Sequence, residues 1–189
     1  QILASDNSVL AEGAQGTLLD PDHGTYPFVT CGSCISGAAC VSLGIGPVMI
    51  DEVAGVMKAY TTRVGNGPFP TELKGSLGNR IREQGNEYGA TTGRPRRCGW
   101  FDAVLVNYSV RINGCTWTAL TLLDVLSGIP ELKVCNKYEL DPDIELTLFE
   151  TGERLGKHIP LYETLPGWEE DITGEQEWNA LPENARKYV

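Results

Sequence analysis

The chain has 189 residues, and its 25 acidic and 15 basic side chains give a formal net charge of −10 at neutral pH. Such an acidic chain lacks the broad basic face that nucleic-acid binding requires. A hydrophobic content of 41% is ordinary for a globular protein and argues against a disordered tail. No apolar run approaches the roughly 20 residues of a membrane span. From the charge we therefore expect no nucleic acid as a partner, and from the missing apolar run no membrane.

The sequence has no repeat and no convincing linker, so residues 1–189 are interpreted as one partial domain. The chain starts with Gln1 and has no basic, apolar leader. Residues 181–189 resemble a helix that is cut short, and we expect both ends to be cuts. Six scattered cysteines without an export signal favour free thiols in the reducing cytoplasm.

The first third of the chain predicts one strand, a long ordered loop and one helix. The short apolar run at residues 8–12 indicates a buried strand. The stretch 20–47, rich in Gly, Asp, Pro and Ser, indicates an ordered loop. Pro47 suits the first position of a helix, and apolar residues at helical spacing then predict a helix over 47–60. Residues 61–64 are typical of a strand.

The rest of the chain alternates helices with strands. Asp102 is a candidate N-cap for a helix that ends at Asn113-Gly114. The full set of expected elements is a helix over 77–84, a loop over 89–99, a helix after Asp102, and strands over 116–121, 131–138 and 144–149. Alternation of this kind is typical of an α/β domain.

The strongest local signal for a binding site is the loop GATTGRPRRCGW at residues 89–100. It places Arg94, Arg96 and Arg97 within four residues and flanks them with threonines and glycines. A guanidinium group grips a carboxylate or a phosphate through two parallel hydrogen bonds, and glycine lets the backbone approach a ligand closely. In an acidic chain, clustered positive charge favours an anion-binding site over a solvated basic turn.

Two further segments are candidate ligand contacts. Residues 13–16 follow the predicted first strand, where α/β folds place ligand loops. The amide of Gln15 offers a donor and an acceptor to a carbonyl or an oxyanion, although a simple tight turn fits this segment equally well. The segment is not a phosphate-binding P-loop, because the Lys-Ser/Thr ending is absent. Asp124 follows a predicted strand and could accept hydrogen bonds from a purine, with a cap or turn role as the alternative.

The cysteines and histidines give weaker signals. Cys31 and Cys34 form a C-x2-C pair, with Cys40 nearby and His23 upstream. A zinc site would need another ligand at matching spacing, and a redox dithiol would need a βαβ context. Ordinary loop cysteines are therefore the favoured interpretation. His158 lies in a polar stretch and is expected to be solvated.

Several strings together resemble the adenylosuccinate synthetase family, in that family's order and over nearly the whole chain. They are residues 12–20, 22–30, 58–65, 67–72, 89–100, 123–126 and 162–168. The resemblance implies an α/β fold related to the P-loop NTPases, with helices around a mostly parallel central sheet. It also implies a reaction in which GTP phosphorylates the 6-oxygen of IMP and the amino group of L-aspartate then displaces that phosphate.

The resemblance further implies a role for individual residues. The IMP contacts are Gln15 at the 6-oxygen, which is also the one catalytic assignment, Thr30 at the phosphate, Val64 near the ribose, and Arg94. The L-aspartate contacts are Ala90, Thr91, Thr92, Gly93, Arg94 and Arg96. The GTP contacts are Arg96, Leu122, Leu123 and the guanine-reading carboxylate Asp124.

The chain departs from the family pattern at three places. The family's opening Gly-Asp-Glu-Gly-Lys-Gly-Lys loop, which carries the catalytic base and a Mg²⁺ ligand, is not among the 189 residues. We therefore expect the Mg²⁺ ligands outside this chain, and a chain that is incomplete for catalysis. Leu122 replaces the lysine that usually precedes Leu-Asp in the guanine motif. Residues 31–33 replace the family's Ser-Ser-Asn after Thr30.

The implied partners are IMP, GTP and L-aspartate, with Mg²⁺ as cofactor and a second copy of the chain in a homodimer. Two alternatives stay open at this point. One is a truncated paralogue that binds nucleotide without catalysis. The other is a metal or redox module built on Cys31 and Cys34.

Overall fold

The computed structural model describes residues 8–90, 93–139 and 152–189, and it confirms the expected α/β class. The predicted strand at 144–149 lies outside these residues. The α-helices are α1 (Gly37–Leu43), α2 (Ser76–Gln84), α3 (Ala103–Asn113), α4 (Gly152–Leu155) and α5 (Glu183–Tyr188). The strands are β1 (Ala54–Lys58), β2 (Thr61–Arg63), β3 (Arg97–Gly99), β4 (Phe101–Asp102), β5 (Trp117–Thr121), β6 (Glu131–Glu139) and β7 (Ile159–Pro166).

The strands pair in three groups. β1 runs parallel to β5, with Ala54 opposite Trp117 and Lys58 opposite Thr121. β2 and β3 are antiparallel, whereas β6 lies between a parallel β4 and an antiparallel β7. Because β1 and β5 are parallel, their carboxyl ends meet at one edge. Ligands of α/β proteins bind at such an edge.

The hydrophobic core lies where α2, β3, β6 and α5 approach the segment that follows β5. Its buried members are Ala59, Tyr60, Ile81, Cys98, Trp100, Val125, Leu126, Ile129, Leu132, Trp168, Ile172 and Ala185. The rings of Trp168 and Tyr188 meet edge to face at 6.0 Å. The Tyr188 hydroxyl donates to the carbonyl of Ala59 at 2.6 Å, so the core extends to the carboxyl end of β1.

Local capping signals predicted α3 correctly. Oδ1 of Asp102 accepts a hydrogen bond from the backbone N–H of Leu105 at 3.1 Å, as an N-cap does. The helix ends at Gly114, whose φ of 61° is the left-handed conformation that glycine adopts without steric cost. The other carboxylate oxygen of Asp102 accepts from the Tyr138 hydroxyl, which joins the cap to β6.

The helix predicted over 47–60 is wrong. Pro47–Met49 forms one short 3-10 turn, and Ala54–Lys58 is strand β1. The apolar spacing of this stretch fits a helix and a strand alike, and pairing with β5 selects the strand. Gly55 belongs to this arrangement, because a Cβ there would lie 3.0 Å from the sulfur of Cys115.

Three other expectations also differ from the structure. Residues 8–12 are exposed and form no strand, because no segment among the described residues pairs with their backbone. Helix α1 interrupts the loop expected over 20–47, and β3 forms the end of the loop expected over 89–99.

Replacement of Leu126 by alanine tests the position of the core. Leu126 is completely buried, and its truncation should lower the free energy of unfolding by about 2–5 kcal/mol through lost burial and cavity formation. Leu10→Ala removes the same atoms from a side chain that is 88% exposed, and it should leave the unfolding free energy nearly unchanged. Urea denaturation of both variants checks this, and equal losses would contradict the core described here.

Candidate functional site

The loop that follows Gln15 is organised by one buried carboxylate, Asp20. Its oxygens accept hydrogen bonds from the backbone N–H groups of Asp22 at 2.9 Å, His23 at 3.0 Å and Cys34 at 2.7 Å, and from the Ser33 hydroxyl at 2.7 Å. Burial alone would raise the pKa of Asp20, but these hydrogen bonds lower it to about 2. The carboxylate is therefore charged at neutral pH and fixes the path of the loop.

The two residues expected at opposite ends of IMP, Gln15 and Thr30, lie in contact. The amide nitrogen of Gln15 donates to Oγ1 of Thr30 at 3.1 Å, and the Cys34 thiol donates to the amide oxygen at 3.3 Å. Gln15 has a φ of 70°, which is uncommon for a residue other than glycine. Its side chain is exposed, so a polar amide stands at the surface on a constrained backbone.

Arg63 connects this loop to strand β2. Its buried guanidinium group donates to Oγ1 of Thr25 at 2.9 Å and to the carbonyls of Phe28 at 3.0 Å and Asn66 at 3.0 Å. Val64 follows directly and is about half exposed. The segment that leads to Thr30 is thus held against the end of β2, where Val64 lies.

The arginine loop, residues 89–96, is closed at its base. Tyr88 bridges to Pro95, and the N–H of Gly89 donates to the carbonyl of Arg94 at 2.8 Å. Gly93, with a φ of 63°, makes the turn and donates to the carbonyl of Gly89 at 2.8 Å. Ala90, Gly93 and Arg94 are exposed, whereas Thr91 and Thr92 lie outside the described residues.

The three guanidinium groups of residues 94–97 have different surroundings. Arg97 forms a bidentate ion pair with Glu72, with Nε and Nη2 each 2.7 Å from a carboxylate oxygen. Arg97 also donates to the carbonyl of Gly67 at 2.9 Å. The side chain of Arg94 is exposed and makes no hydrogen bond to another described residue. Of the three, Arg94 and Arg96 therefore keep guanidinium nitrogens that donate to no other described residue.

Arg96 is held by Glu87, which sequence reasoning missed. Glu87 is 1% exposed, and its oxygens accept from Arg96 Nη1 at 2.7 Å, from the Tyr60 hydroxyl at 2.6 Å and from Lys58 Nζ at 2.6 and 2.8 Å. Burial would raise the pKa of Glu87, but the hydrogen bonds lower it. An acidic residue shortly before a basic loop is the one sequence signal that could have indicated this cluster.

The residues expected at GTP follow the carboxyl end of β5. Leu122 has a φ of 58°, and Leu123 and Asp124 open a 3-10 turn. Asp124 is half-buried, and its charge adds to burial and to Glu87 in raising the pKa of Tyr60. Leu123 contributes to the lining of a mainly apolar cavity of about 400 Å³. Asp124 and the Glu87 cluster therefore share the edge formed by β1 and β5.

The histidine and cysteine expectations have mixed outcomes. His158 is buried and stacks on Tyr138 at 5.6 Å, so its expected solvation is wrong. Cys31 is exposed and Cys34 half-buried. Among residues 8–90, 93–139 and 152–189, no three His, Cys, Asp or Glu side chains converge as metal ligands would.

The helices in the described part of the chain are all too short or too polar to cross a membrane.

Comparison with known proteins identifies relatives over the whole chain. The family model described as adenylosuccinate synthetase matches residues 1–189. The adenylosuccinate synthetase of Myxococcus xanthus is 56% identical over 96% of this chain and 42% of its own length. That of Alkaliphilus metalliredigens is 55% identical over 100% of this chain and 44% of its own length. The chain thus spans less than half the length of these curated relatives.

Two solved structures are also similar. Fully ligated adenylosuccinate synthetase from Plasmodium falciparum has a TM-score of 0.89 and 43% identity, over 94% of this chain and 43% of that one. The succinoaminodeoxyadenylate synthetase of cyanophage S-2L, bound to dGMP and to dATP as an energy donor, has a TM-score of 0.50 and 26% identity. That match covers 60% of this chain and 35% of the phage protein.

The Asp20 carboxylate gives a pH-dependent prediction. Its pKa of about 2 lies below the ordinary value of 3.8 for an aspartate, so its stabilisation is complete above about pH 4 and is lost as the pH falls through about 2. At neutral pH, Asp20→Asn should lower the free energy of unfolding by about 2 kcal/mol. The difference from the unsubstituted protein should shrink as the pH approaches 2.

Asp22→Asn provides the matched control, because it makes the same chemical change on an exposed side chain of the same loop. Urea unfolding at pH 7 and at pH 3 measures both variants. A loss for Asp20→Asn that is independent of pH, or an equal loss for Asp22→Asn, would contradict this account of the loop.

Proposed function

This chain belongs to the adenylosuccinate synthetase family, and we propose that it supplies the IMP, L-aspartate and guanine contacts of a GTP-dependent ligase. In the proposed reaction, the γ-phosphoryl group of GTP moves to the 6-oxygen of IMP and leaves GDP. The amino nitrogen of L-aspartate then attacks C6, and phosphate departs with the 6-oxygen to give adenylosuccinate. Phosphorylation is required because a purine 6-oxygen is otherwise a poor leaving group.

The observation that carries the proposal is that the arginines of residues 94–97 differ in how far protein carboxylates occupy their donor groups. L-aspartate has two carboxylates, and a site for it requires two arginines that still have donor groups not used by protein carboxylates. Arg97 is excluded by its two-pronged bond to Glu72. Arg94 and Arg96 remain, one on each side of Pro95, on a loop whose base is closed by backbone hydrogen bonds. Ala90, Thr91, Thr92 and Gly93 complete the proposed contacts of this loop.

Most of the IMP contacts are proposed on the loop that runs from Gln15 to Thr30. The amide of Gln15 offers its N–H to the 6-oxygen, and the change of that oxygen to a phosphate ester takes place beside it. Thr30, in contact with Gln15, is proposed at the IMP phosphate. Val64 would pack near the ribose, and Arg94 would reach from the arginine loop.

The guanine contacts are proposed at the edge formed by β1 and β5. The carboxylate of Asp124 can accept hydrogen bonds from the N1–H and the 2-amino group of guanine. Leu122 and Leu123 would lie against the base, and Arg96 would also reach GTP. Since a leucine stands where the family usually has lysine, the choice of GTP over ATP depends on Asp124.

The described residues do not fit a Mg²⁺ site, because no three His, Cys, Asp or Glu side chains converge among them. The Mg²⁺ that the family uses would need ligands from elsewhere, and no step is derived through it. We further propose that the enzyme is a homodimer in the cytoplasm. The six cysteines are all unpaired, which accords with a reducing compartment.

A chimera tests the proposal. The 189 residues replace the matching segment of the Alkaliphilus metalliredigens protein, to which the whole chain aligns. With IMP, L-aspartate, Mg²⁺ and GTP, the chimera should form adenylosuccinate, and ATP in place of GTP should give much less. A folded chimera that binds IMP without forming product would favour the alternative of a non-catalytic nucleotide-binding paralogue.

Arg94→Ala in the same chimera should reduce kcat/KM for L-aspartate by about 100-fold or more, since a charged partner of a substrate carboxylate is lost. Arg111→Ala removes the same charge from an exposed position on α3 and should leave the rate unchanged. Steady-state kinetics measures both variants, and an Arg94→Ala enzyme with unchanged kcat/KM would show that Arg94 does not bind the amino acid.

A further inference from the structure

Two glutamate–arginine pairs lie close together in the sequence, and they differ in one respect. In the pair of Glu72 and Arg97, the arginine uses Nε and Nη2 together on one carboxylate. In the pair of Glu87 and Arg96, the arginine uses Nη1 alone. The first pair is bidentate. In the second pair, which we call the open pair, Nε and Nη2 of the arginine donate nothing to the glutamate.

The unused part of Arg96 has a defined geometry. Nε and Nη2 donate to no other described residue, and Nε is buried without a hydrogen-bond partner there. A buried donor that lacks an acceptor is unfavourable, so this group favours a ligand that supplies one. The Nε and Nη2 groups form the edge of a guanidinium that binds a carboxylate through two parallel hydrogen bonds. The side chain of Arg96 as a whole is 29% exposed, whereas Nε itself is buried.

The charges around Glu87 also leave a positive excess. One carboxylate faces two cations, Lys58 and Arg96, at 2.6 and 2.7 Å, which leaves a net charge of +1. Tyr60 adds a hydrogen bond from its hydroxyl and no charge. The cluster therefore stays attractive to an anion, although its carboxylate is fully hydrogen-bonded.

Both ends of the Arg96 residue are held in place. Its N–H donates to the carbonyl of Glu87 at 2.9 Å, and its own carbonyl accepts from Nε of Arg82 on α2 at 2.6 Å. Lys58 and Tyr60 fix the carboxylate of Glu87 from the end of β1. The backbone of Arg96 is thus held by Glu87 and Arg82, and its guanidinium group is oriented by the carboxylate of Glu87.

We propose that Glu87 is a positioning residue, which holds Arg96 through Nη1 so that the Nε and Nη2 edge receives a carboxylate of the amino-acid substrate. The identity of that substrate rests on the proposed function. The positioning contact itself rests on the hydrogen bonds of Glu87. Glu87 touches no substrate in this arrangement, and it acts through Arg96 alone.

Kinetics of the chimera tests this role. Glu87→Gln keeps the shape of the side chain and removes its charge. KM for L-aspartate should rise by about 10-fold or more, while kcat and KM for IMP change by less than about threefold. Glu72→Gln makes the same change in the bidentate pair, and it should lower thermal stability without raising KM. An unchanged KM in Glu87→Gln, or an equal rise in both variants, would overturn the proposal.

A chemical readout separates this inference from the proposed function. Phenylglyoxal modification of the purified protein, followed by mass spectrometry, reports how firmly each arginine is held. Glu87→Gln should speed the labelling of Arg96 several-fold and leave that of Arg97 unchanged, and Glu72→Gln should do the reverse. If Arg96 labelling does not respond to Glu87→Gln, the positioning contact is absent. Faster labelling together with an inactive unsubstituted chimera would refute only the proposed function.

Tyr60→Phe serves if Glu87→Gln does not fold. It removes one hydrogen bond from Glu87 and keeps every charge. A rise of about two- to fivefold in KM for L-aspartate, together with faster Arg96 labelling, is expected. No change in either quantity would count against the role of the cluster.

Discussion

The buried carboxylate of Glu87 sets the constraint on which the arrangement of the site depends. A charge removed from water is strongly destabilising unless donors surround it. Lys58 and Tyr60 at the end of β1 provide donors on one side, and Arg96 at the base of the arginine loop provides one on the other. The loop can therefore occupy only the position that keeps Glu87 satisfied. The order of the site follows from the cost of leaving this one group unpaired.

Asp20 solves a similar problem in a different way. Three of its four hydrogen-bond donors are backbone N–H groups, so the carboxylate determines the path of a loop rather than the orientation of a cation. Arg63 then joins that loop to β2 through Thr25 and Phe28. Segments without regular structure have few backbone partners of their own, and here two buried charged groups provide the fixed points. Gln15 and Thr30 meet because of this framework.

Local signals in the sequence were sufficient for some elements and not for others. Asp102 and Gly114 mark the ends of α3 by capping chemistry that acts within a few residues. Strand β1 could not be predicted in this way, since its identity depends on pairing with Trp117–Thr121, some 60 residues later. Likewise, the arginine loop was predicted as an anion site, but Arg97 pairs with Glu72 from a separate segment. Which acid neutralises which base is decided by the tertiary fold.

The candidate site residues also divide into those that a sequence motif indicates and those that only the tertiary fold identifies. The resemblance supplied Gln15, Thr30 and Arg96 from motifs, and the structure places the first two in contact and gives the third a partner. Glu87 was not predicted, because an acidic residue shortly before a basic loop is equally typical of a solvated surface. Its burial follows from the approach of α2 to the end of β1. Positioning residues are recognisable only once the partners that surround them are known.

The charges around the candidate site would allow the proposed anionic ligands to bind to an acidic protein. The chain carries a net charge of −10, yet the two cations Lys58 and Arg96 share a single carboxylate, Glu87. At physiological salt, surface charges are screened beyond about 8 Å, so a small ligand inside the site experiences mainly these nearby groups. A long polyanion would extend past the site and meet the acidic surface. The same charge distribution therefore favours small mono- and dianions over nucleic acid.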